Sequence, residues 1–146
     1  MKRLLIILLL ACVVIGCEND QRNPVPSYPV YIDLNIVGEF PHFVPDNGFR
    51  TMTFTTRRFD TEAIGYAGVL VWVDMQGRYQ AADLCCPVCL KRDTPIEVDG
   101  IFARCSECGE EFDLSYGYCT PQKGVSHHAL RKFRVSYGGG HLIVRN

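Results

Sequence analysis

The sequence predicts an all-β fold of antiparallel strands, for three reasons. Apolar and polar residues alternate with period two over several short segments, as expected of strands with one buried face. Turn-forming glycines and prolines recur between these segments. Beyond the N-terminal segment, no stretch places apolar residues at helical spacing. With 146 residues in all, the chain is long enough for one domain with a modest core.

The first residues resemble a bacterial lipoprotein signal peptide. Met1-Lys2-Arg3 is positively charged, residues 4–15 are almost wholly apolar, and Gly16 precedes Cys17. The apolar run is too short to span a bilayer, which takes roughly 20 apolar residues. The resemblance implies that residues 1–16 are removed and that Cys17 becomes the lipidated first residue. The alternative is an ordinary secretory signal in which Cys17 has no special role.

Lipidation would determine where in the cell the protein lies, and it implies that a membrane is one of its partners. Acyl chains such as palmitate would attach the protein to a membrane of the bacterial cell envelope, with the domain outside the cytoplasm. Whether this is the inner or the outer membrane stays open. Removing residues 1–16 changes the formal charge from −1 to −3, because two basic residues leave. The remaining basic residues are scattered, so no nucleic-acid partner is expected.

Residues 17–29 are polar and proline-rich after the cysteine, which predicts a flexible tether. The domain is expected over residues 30–146. Continuous apolar and β-branched residues over 68–73 predict a central strand buried on both faces. Other strands are predicted at Ile32 to Ile36, Met52 to Phe54, Tyr79 to Ala82, Ile96 to Val98, Ile101 to Arg104, Leu130 to Val135 and His141 to Val144. Asp74, Asp83 and Asp113 are interpreted as caps and turn formers.

Two C-x-x-C pairs are the most specific pattern in the chain. The first pair is Cys86 and Cys89, the second pair is Cys105 and Cys108, and fifteen residues separate the two pairs. This spacing predicts a four-thiolate metal site. Gly109 follows the second pair, where a tight turn needs a left-handed residue. Residues 85–109, two such turns joined by a hairpin, resemble the metal-binding units of zinc ribbons and rubredoxins.

The order of elements from Gly68 to Val144 resembles the Rieske iron–sulfur domain. The closest part is residues 105–117, where Cys-Ser-Glu-Cys-Gly-Glu-Glu-Phe-Asp matches the family's Cys-x-x-His-Gly-x-x-Phe-Asp. The Leu130 to Val135 segment likewise resembles the family's Leu-x-x-Tyr-x-Val strand. The resemblance implies a Rieske-like antiparallel β-sandwich. It also implies that residues 30 to about 66 add strands to its sheets.

The ligands depart from the Rieske pattern. By the resemblance, Cys86 and Cys105 match the two cysteines of the family, but Val88 and Cys108 stand where it has histidines. Cys89 restores four ligands. Four thiolates fit one tetrahedral Zn²⁺, a [2Fe-2S] cluster or a single iron, and four sulfurs would lower the potential of an iron centre. Without a metal, cross-loop disulfides between Cys86 and Cys105 and between Cys89 and Cys108 are the alternative.

Two further cysteines have no assigned ligand role. Cys85 and Cys119 are the two that remain after the four ligands and Cys17, and they could form one disulfide, stay as thiols or substitute as ligands. Neighbouring side chains point in opposite directions on an extended chain, so only one of Cys85 and Cys86 should face the metal. The match to Cys-Pro favours Cys86.

Two classes of function follow. The protein is either a membrane-anchored, metal-binding electron carrier with a redox protein partner, or a binding or structural module in which zinc holds the loops together. Enzymatic activity of this chain alone is not expected, because a Cys₄ site has no open coordination position for water.

Overall fold

The computed structural model describes residues 22–45 and 48–146, and nearly all of their regular structure is β. The strands are β1 Val30–Asn35, β2 Arg50–Phe54, β3 Ala63–Ile64, β4 Val69–Val73, β5 Tyr79–Asp83, β6 Glu97–Asp99, β7 Phe102–Arg104, β8 Glu111–Asp113, β9 Thr120–Lys123, β10 Arg134–Gly138 and β11 His141–Arg145. One 3-10 turn covers Pro41–Phe43, and these described residues contain no α-helix. The predicted all-β class is confirmed.

The strands form three antiparallel sheets. The first sheet has the order β10-β11-β1-β3, the second β2-β4-β5 and the third β6-β7-β8-β9. As expected, residues before 66 extend the sheets of the later chain: β1 pairs with β11, and β2 pairs with β4. The third sheet presents the second cysteine loop between β7 and β8.

The second sheet lies between the other two because its central strand is apolar on both faces. All five residues of β4 are buried, as predicted. Val71 and its neighbours at 69 and 73 pack with the first sheet, whereas Leu70 and Trp72 pack with the third. The Trp72 Nε1–H donates to the Leu114 carbonyl over 2.9 Å, so the buried indole is fully paired.

Three strands were not predicted, and one predicted strand lies at a different place in the chain than expected. β3, β8 and β9 have only two to four residues, too few to show a period of two. The strand expected at Leu130 to Val135 begins at Arg134 instead. Before it, the chain runs along the outer edge of β5, where the Phe133 N–H donates to the Ala81 carbonyl over 2.9 Å. Leu130 and Phe133 are both buried there.

Residues 22–29 form no strand but lie against the domain. Val25 is buried in the core, the Asn23 side chain donates to the Ala129 carbonyl, and Arg131 donates to the Val25 carbonyl. This part of the expected tether is therefore held in place by packing and hydrogen bonds. The predicted signal segment, residues 1–16, and Cys17, the predicted lipidation site, lie outside the described residues. Within the ranges that are described, no helix is long and apolar enough to cross a membrane.

Candidate metal centre

The first cysteine loop follows β5 directly. The Asp83 carboxylate at the end of β5 accepts the Cys85 N–H over 2.8 Å, and this fixes the chain as it leaves the sheet. The loop closes on itself because the Leu90 N–H donates to the Cys86 carbonyl over 2.9 Å. Leu90 has a φ of 54°, in the left-handed region that a side chain other than glycine rarely adopts. The turn therefore places Cys86 and Cys89 on its inner side.

The second loop, between β7 and β8, repeats this geometry. The Gly109 N–H donates to the Cys105 carbonyl over 2.9 Å, in the same positions relative to the cysteines as in the first loop. Gly109 has a φ of 75°, which confirms the left-handed turn predicted there. The Cys105 N–H also pairs with the Glu110 carbonyl. The two C-x-x-C segments therefore form two equivalent turns.

The four sulfurs of these turns form one cluster. The Sγ atoms of Cys86, Cys89, Cys105 and Cys108 all lie within 4.8 Å of one another. Two contacts cross between the loops, 3.6 Å from the Cys86 sulfur to the Cys108 sulfur and 3.8 Å from the Cys105 sulfur to the Cys89 sulfur. Four sulfurs at about 2.3 Å from one central ion would be about 3.8 Å apart. The cluster is thus close enough to bind a metal ion.

Backbone amides stabilise charge on two of the four sulfurs. Burial raises the pKa of the Cys86 thiol to about 11, although the Cys89 and Val88 N–H groups donate to it. Burial acts on Cys105 in the same direction, but there the Cys108 and Glu107 N–H groups overcome it and its pKa is lowered. N–H groups that point at thiolate are what a four-thiolate site needs, because they offset its accumulated negative charge.

The site lies at the edge of the core rather than inside it. Cys86 and Cys105 are buried, Cys89 is half-buried and Cys108 is exposed. Outside the sulfurs, Lys91 of the first loop pairs with Glu107 of the second over 2.7 Å. Both ends of this pair are exposed, so solvent screening leaves it little effect on stability. One cysteine of the cluster is therefore open to solvent, one is partly covered and two are fully covered.

Cys85 and Cys119 are free, buried thiols in the structure. Burial raises the pKa of each to about 12, so both are neutral at physiological pH. The Cys85 Sγ is 3.5 Å from the Cys86 carbonyl oxygen and is not one of the four clustered sulfurs, in agreement with the choice of Cys86 as ligand. The disulfide between Cys85 and Cys119 stays a prediction.

Sequence reasoning missed the supports of the site more than the ligands. Neither the left-handed Leu90 nor the Lys91–Glu107 pair was expected, because no residue type or spacing marks them. The cross-loop disulfides considered from the sequence are not formed among the described residues, where all six cysteines are free. The described histidines stand apart from the cluster, and His141 pairs with Asp33 over 2.7 Å.

Comparisons with known proteins identify no relative. No protein-family model, no curated protein and no solved structure matches this chain.

Proposed function

We propose that this chain is a membrane-anchored metalloprotein whose β domain binds one tetrahedral zinc ion in a structural role. The observation that supports this most directly is the sulfur geometry. Cross-loop contacts of 3.6 and 3.8 Å match the edge of a tetrahedron of thiolates around a single ion. Cys86, Cys89, Cys105 and Cys108 would hold that ion. Zn²⁺ would supply four bonds that fix the two loops, and no redox chemistry.

The same contacts argue against a two-iron cluster. In the Rieske arrangement, Cys86 and Cys105 would bind one iron, leaving Cys89 and Cys108 for the other. Sulfurs of these different pairs lie 3.6 and 3.8 Å apart, and no two of the four are more than 4.8 Å apart. If two irons were bridged by sulfides, the cysteine sulfurs on one iron would lie farther from those on the other than the sulfurs around a single ion lie from each other. The geometry therefore favours one ion over [2Fe-2S].

A structural role agrees with the position of the loops. The third sheet contains strands of only three or four residues. Its contribution to the core is small, with Ala103 and Phe112 among its few buried apolar side chains. A metal ion shared by the loop after β5 and the loop between β7 and β8 would tie this sheet to the second one. Metal binding would then be part of the folding free energy.

A single iron with an electron-carrier function is the second candidate. It is favoured by the exposed Cys108, because electron exchange with a redox protein partner needs a ligand near the surface. The amide groups donating to Cys86 and Cys105 would also tune the potential of such an ion. Descent from a Rieske-like domain is part of this proposal. Phe112 of the Gly-x-x-Phe-Asp segment is fully buried, and Asp113 accepts the Ser115 N–H.

Elemental analysis separates the two candidates. The full chain, purified anaerobically from membranes, should contain one zinc per chain and neither iron nor acid-labile sulfide. A strong zinc chelator should lower its melting temperature, because the ligands then lose the bonds that join the loops. One iron without sulfide would favour the electron carrier. Two irons with two sulfides would refute the single-ion proposal altogether.

The proposed anchor is tested separately through Cys17. The lipobox-like Val14-Ile15-Gly16-Cys17 segment supports lipidation, and acyl chains give firm membrane binding when two or more are attached. In cells labelled with radioactive palmitate, we expect the wild-type chain in the membrane fraction with label. Cys17→Ser should lose the label and leave the membrane fraction. Cys12→Ser, inside the signal segment, is the control and should retain both. An unlabelled wild-type chain would exclude lipidation.

A further inference from the structure

The outer edge of β2 is an open strand edge. β2 is the last strand of the second sheet and pairs with β4 alone among the described strands. Two backbone hydrogen bonds lie at the ends of the β4–β5 pair: the Asp74 N–H donates to the Arg78 carbonyl, and the Leu84 N–H donates to the Gly68 carbonyl. Both bonds involve an even-numbered residue on the β4 side. Because backbone bonds alternate along an antiparallel strand, even-numbered residues of β4 bond to β5 and odd-numbered residues bond to β2.

The register then identifies the unpaired backbone groups. The odd-numbered residues of β4 stand opposite Arg50, Met52 and Phe54, so these three residues make the bonds within the sheet. The alternate residues, Thr51 and Thr53, direct their N–H and C=O groups away from it. Two donors and two acceptors are therefore available along the edge.

This edge differs from the others in the described sheets. Protein sheets usually protect open edges with charged residues, proline, glycine or short strands. β3 has only two residues, and residues 131–133 cover β5. The remaining edge strands contain protecting residues: Arg134 and Gly138 in β10, Glu97 and Asp99 in β6, Pro121 and Lys123 in β9. β2 has no such residue after Arg50 at its start.

The edge borders a groove of about 540 Å³, a volume typical of binding sites. Thr51, Met52, Thr53 and Thr55 line it along β2 and just beyond its end, residues 93–98 line it from the other part of the chain, and Leu84 also contributes to the lining. Ser106 of the second cysteine loop also lines it. The wall along β2 matches about four residues of an extended peptide, at about 3.3 Å each.

The charge of the groove is one-sided. Asp93 and Glu97 line it, both are exposed and neither forms a salt bridge within the described residues. No lysine or arginine lines it. A second copy of this chain, paired edge to edge, would bring the same carboxylates together from both copies, which disfavours dimerisation here.

We propose that this groove binds an extended, lysine- or arginine-rich segment of a partner protein as an added strand of the second sheet. Main-chain bonds to Thr51 and Thr53 provide the affinity, as in other cases of strand addition. Asp93 and Glu97 select basic side chains on the partner segment. The site is independent of the metal's identity, although Ser106 brings the partner next to the metal loop.

The test uses a ten-residue peptide of alternating lysine and valine, titrated calorimetrically into the full metal-loaded chain in detergent micelles. A peptide with glutamate in place of lysine is the control for charge. We expect measurable binding of the basic peptide and binding at least about tenfold weaker for the acidic one. No binding of the basic peptide at millimolar concentration would overturn the proposal, as would equal binding of both peptides.

Two variants of one residue separate strand addition from simple charge attraction. Thr53→Pro removes an outward N–H without breaking the bonds to β4, and proline is tolerated on edge strands. Thr53→Val removes only the hydroxyl and is the matched control. We expect about tenfold weaker binding for the proline variant and little change for valine.

A third variant tests the role of the acidic residues Asp93 and Glu97. Analytical ultracentrifugation tests whether a second copy of this chain occupies the groove instead of a partner segment. Glu97→Lys should weaken binding of the basic peptide about tenfold. Unchanged affinity in both Thr53→Pro and Glu97→Lys would place the peptide elsewhere and refute the site. A dimer of the wild-type chain that Thr53→Pro dissociates would replace the partner peptide with a second copy.

Discussion

Replacement of Cys105 by serine is expected to abolish metal binding and to lower the free energy of unfolding on the order of 4 kcal/mol. Cys105 is buried, lies 3.8 Å from the Cys89 sulfur and receives backbone N–H groups at its own sulfur. The serine hydroxyl is a far weaker ligand for Zn²⁺ than a thiolate, so the ion would lose one of its four bonds and its tetrahedral coordination. Metal content by mass spectrometry and urea unfolding measure the two effects.

The neighbouring Cys85 offers a matched control. It is as buried as Cys105 but stands outside the sulfur cluster. Cys85→Ala should therefore retain one metal ion per chain and cost about 1 kcal/mol through lost packing. If Cys85→Ala released the metal while Cys105→Ser kept it, the ligand set would be wrong. Equal metal content and equal stability in both variants would refute the metal site as proposed.

The clustering of the four cysteines was predictable from the sequence because both halves of the cluster are local. A C-x-x-C segment places two sulfurs on one tight turn whatever the rest of the fold does, and two such pairs at this spacing are typical of a metal site. The longest apolar strand was predictable for a similar reason, since residues 69–73 form a continuous β-branched and aromatic run buried on both faces.

The supports of the site depend on contacts that are distant in the chain. Nothing near Leu90 marks it as left-handed, because the closing bond to Cys86 forces that conformation. Lys91 and Glu107 meet only once the loops are side by side. The order of strands also rests on long-range register, such as Ile32 opposite Val144. Local pattern does not encode such pairings.

The choice among metals was equally out of reach from residue types. Four cysteines suit zinc, a single iron or a two-iron cluster, and the C-x-x-C spacing favours one ion but does not separate zinc from iron. The distances between the sulfurs of Cys86 and Cys108 and of Cys105 and Cys89 bear on the number of ions rather than on their identity, because they depend on how the two turns face each other. A three-dimensional relation between two local motifs therefore supports the single-ion proposal.

Replacement of Asp83 by alanine is expected to lower the free energy of unfolding by about 3 to 5 kcal/mol. Its carboxylate is buried and accepts three backbone N–H groups, from Tyr66 over 2.7 Å, Ala67 over 3.1 Å and Cys85 over 2.8 Å. Burial raises the pKa of Asp83, and the three amides together with Arg131 oppose that shift. Alanine would leave three donors without their acceptor at the point where the chain enters the first cysteine loop.

Asp113 is the control that isolates this effect from the loss of a carboxylate at a strand end. It ends β8 as Asp83 ends β5, but it is half-buried and accepts one backbone N–H, from Ser115 over 2.7 Å. Asp113→Ala should therefore cost only about 1 kcal/mol. Urea unfolding with saturating zinc measures both variants, and competition with a chelator measures metal affinity. We expect weaker zinc binding in Asp83→Ala alone, because only Asp83 orients the chain into Cys86. A smaller loss of stability in Asp83→Ala than in Asp113→Ala would contradict this role.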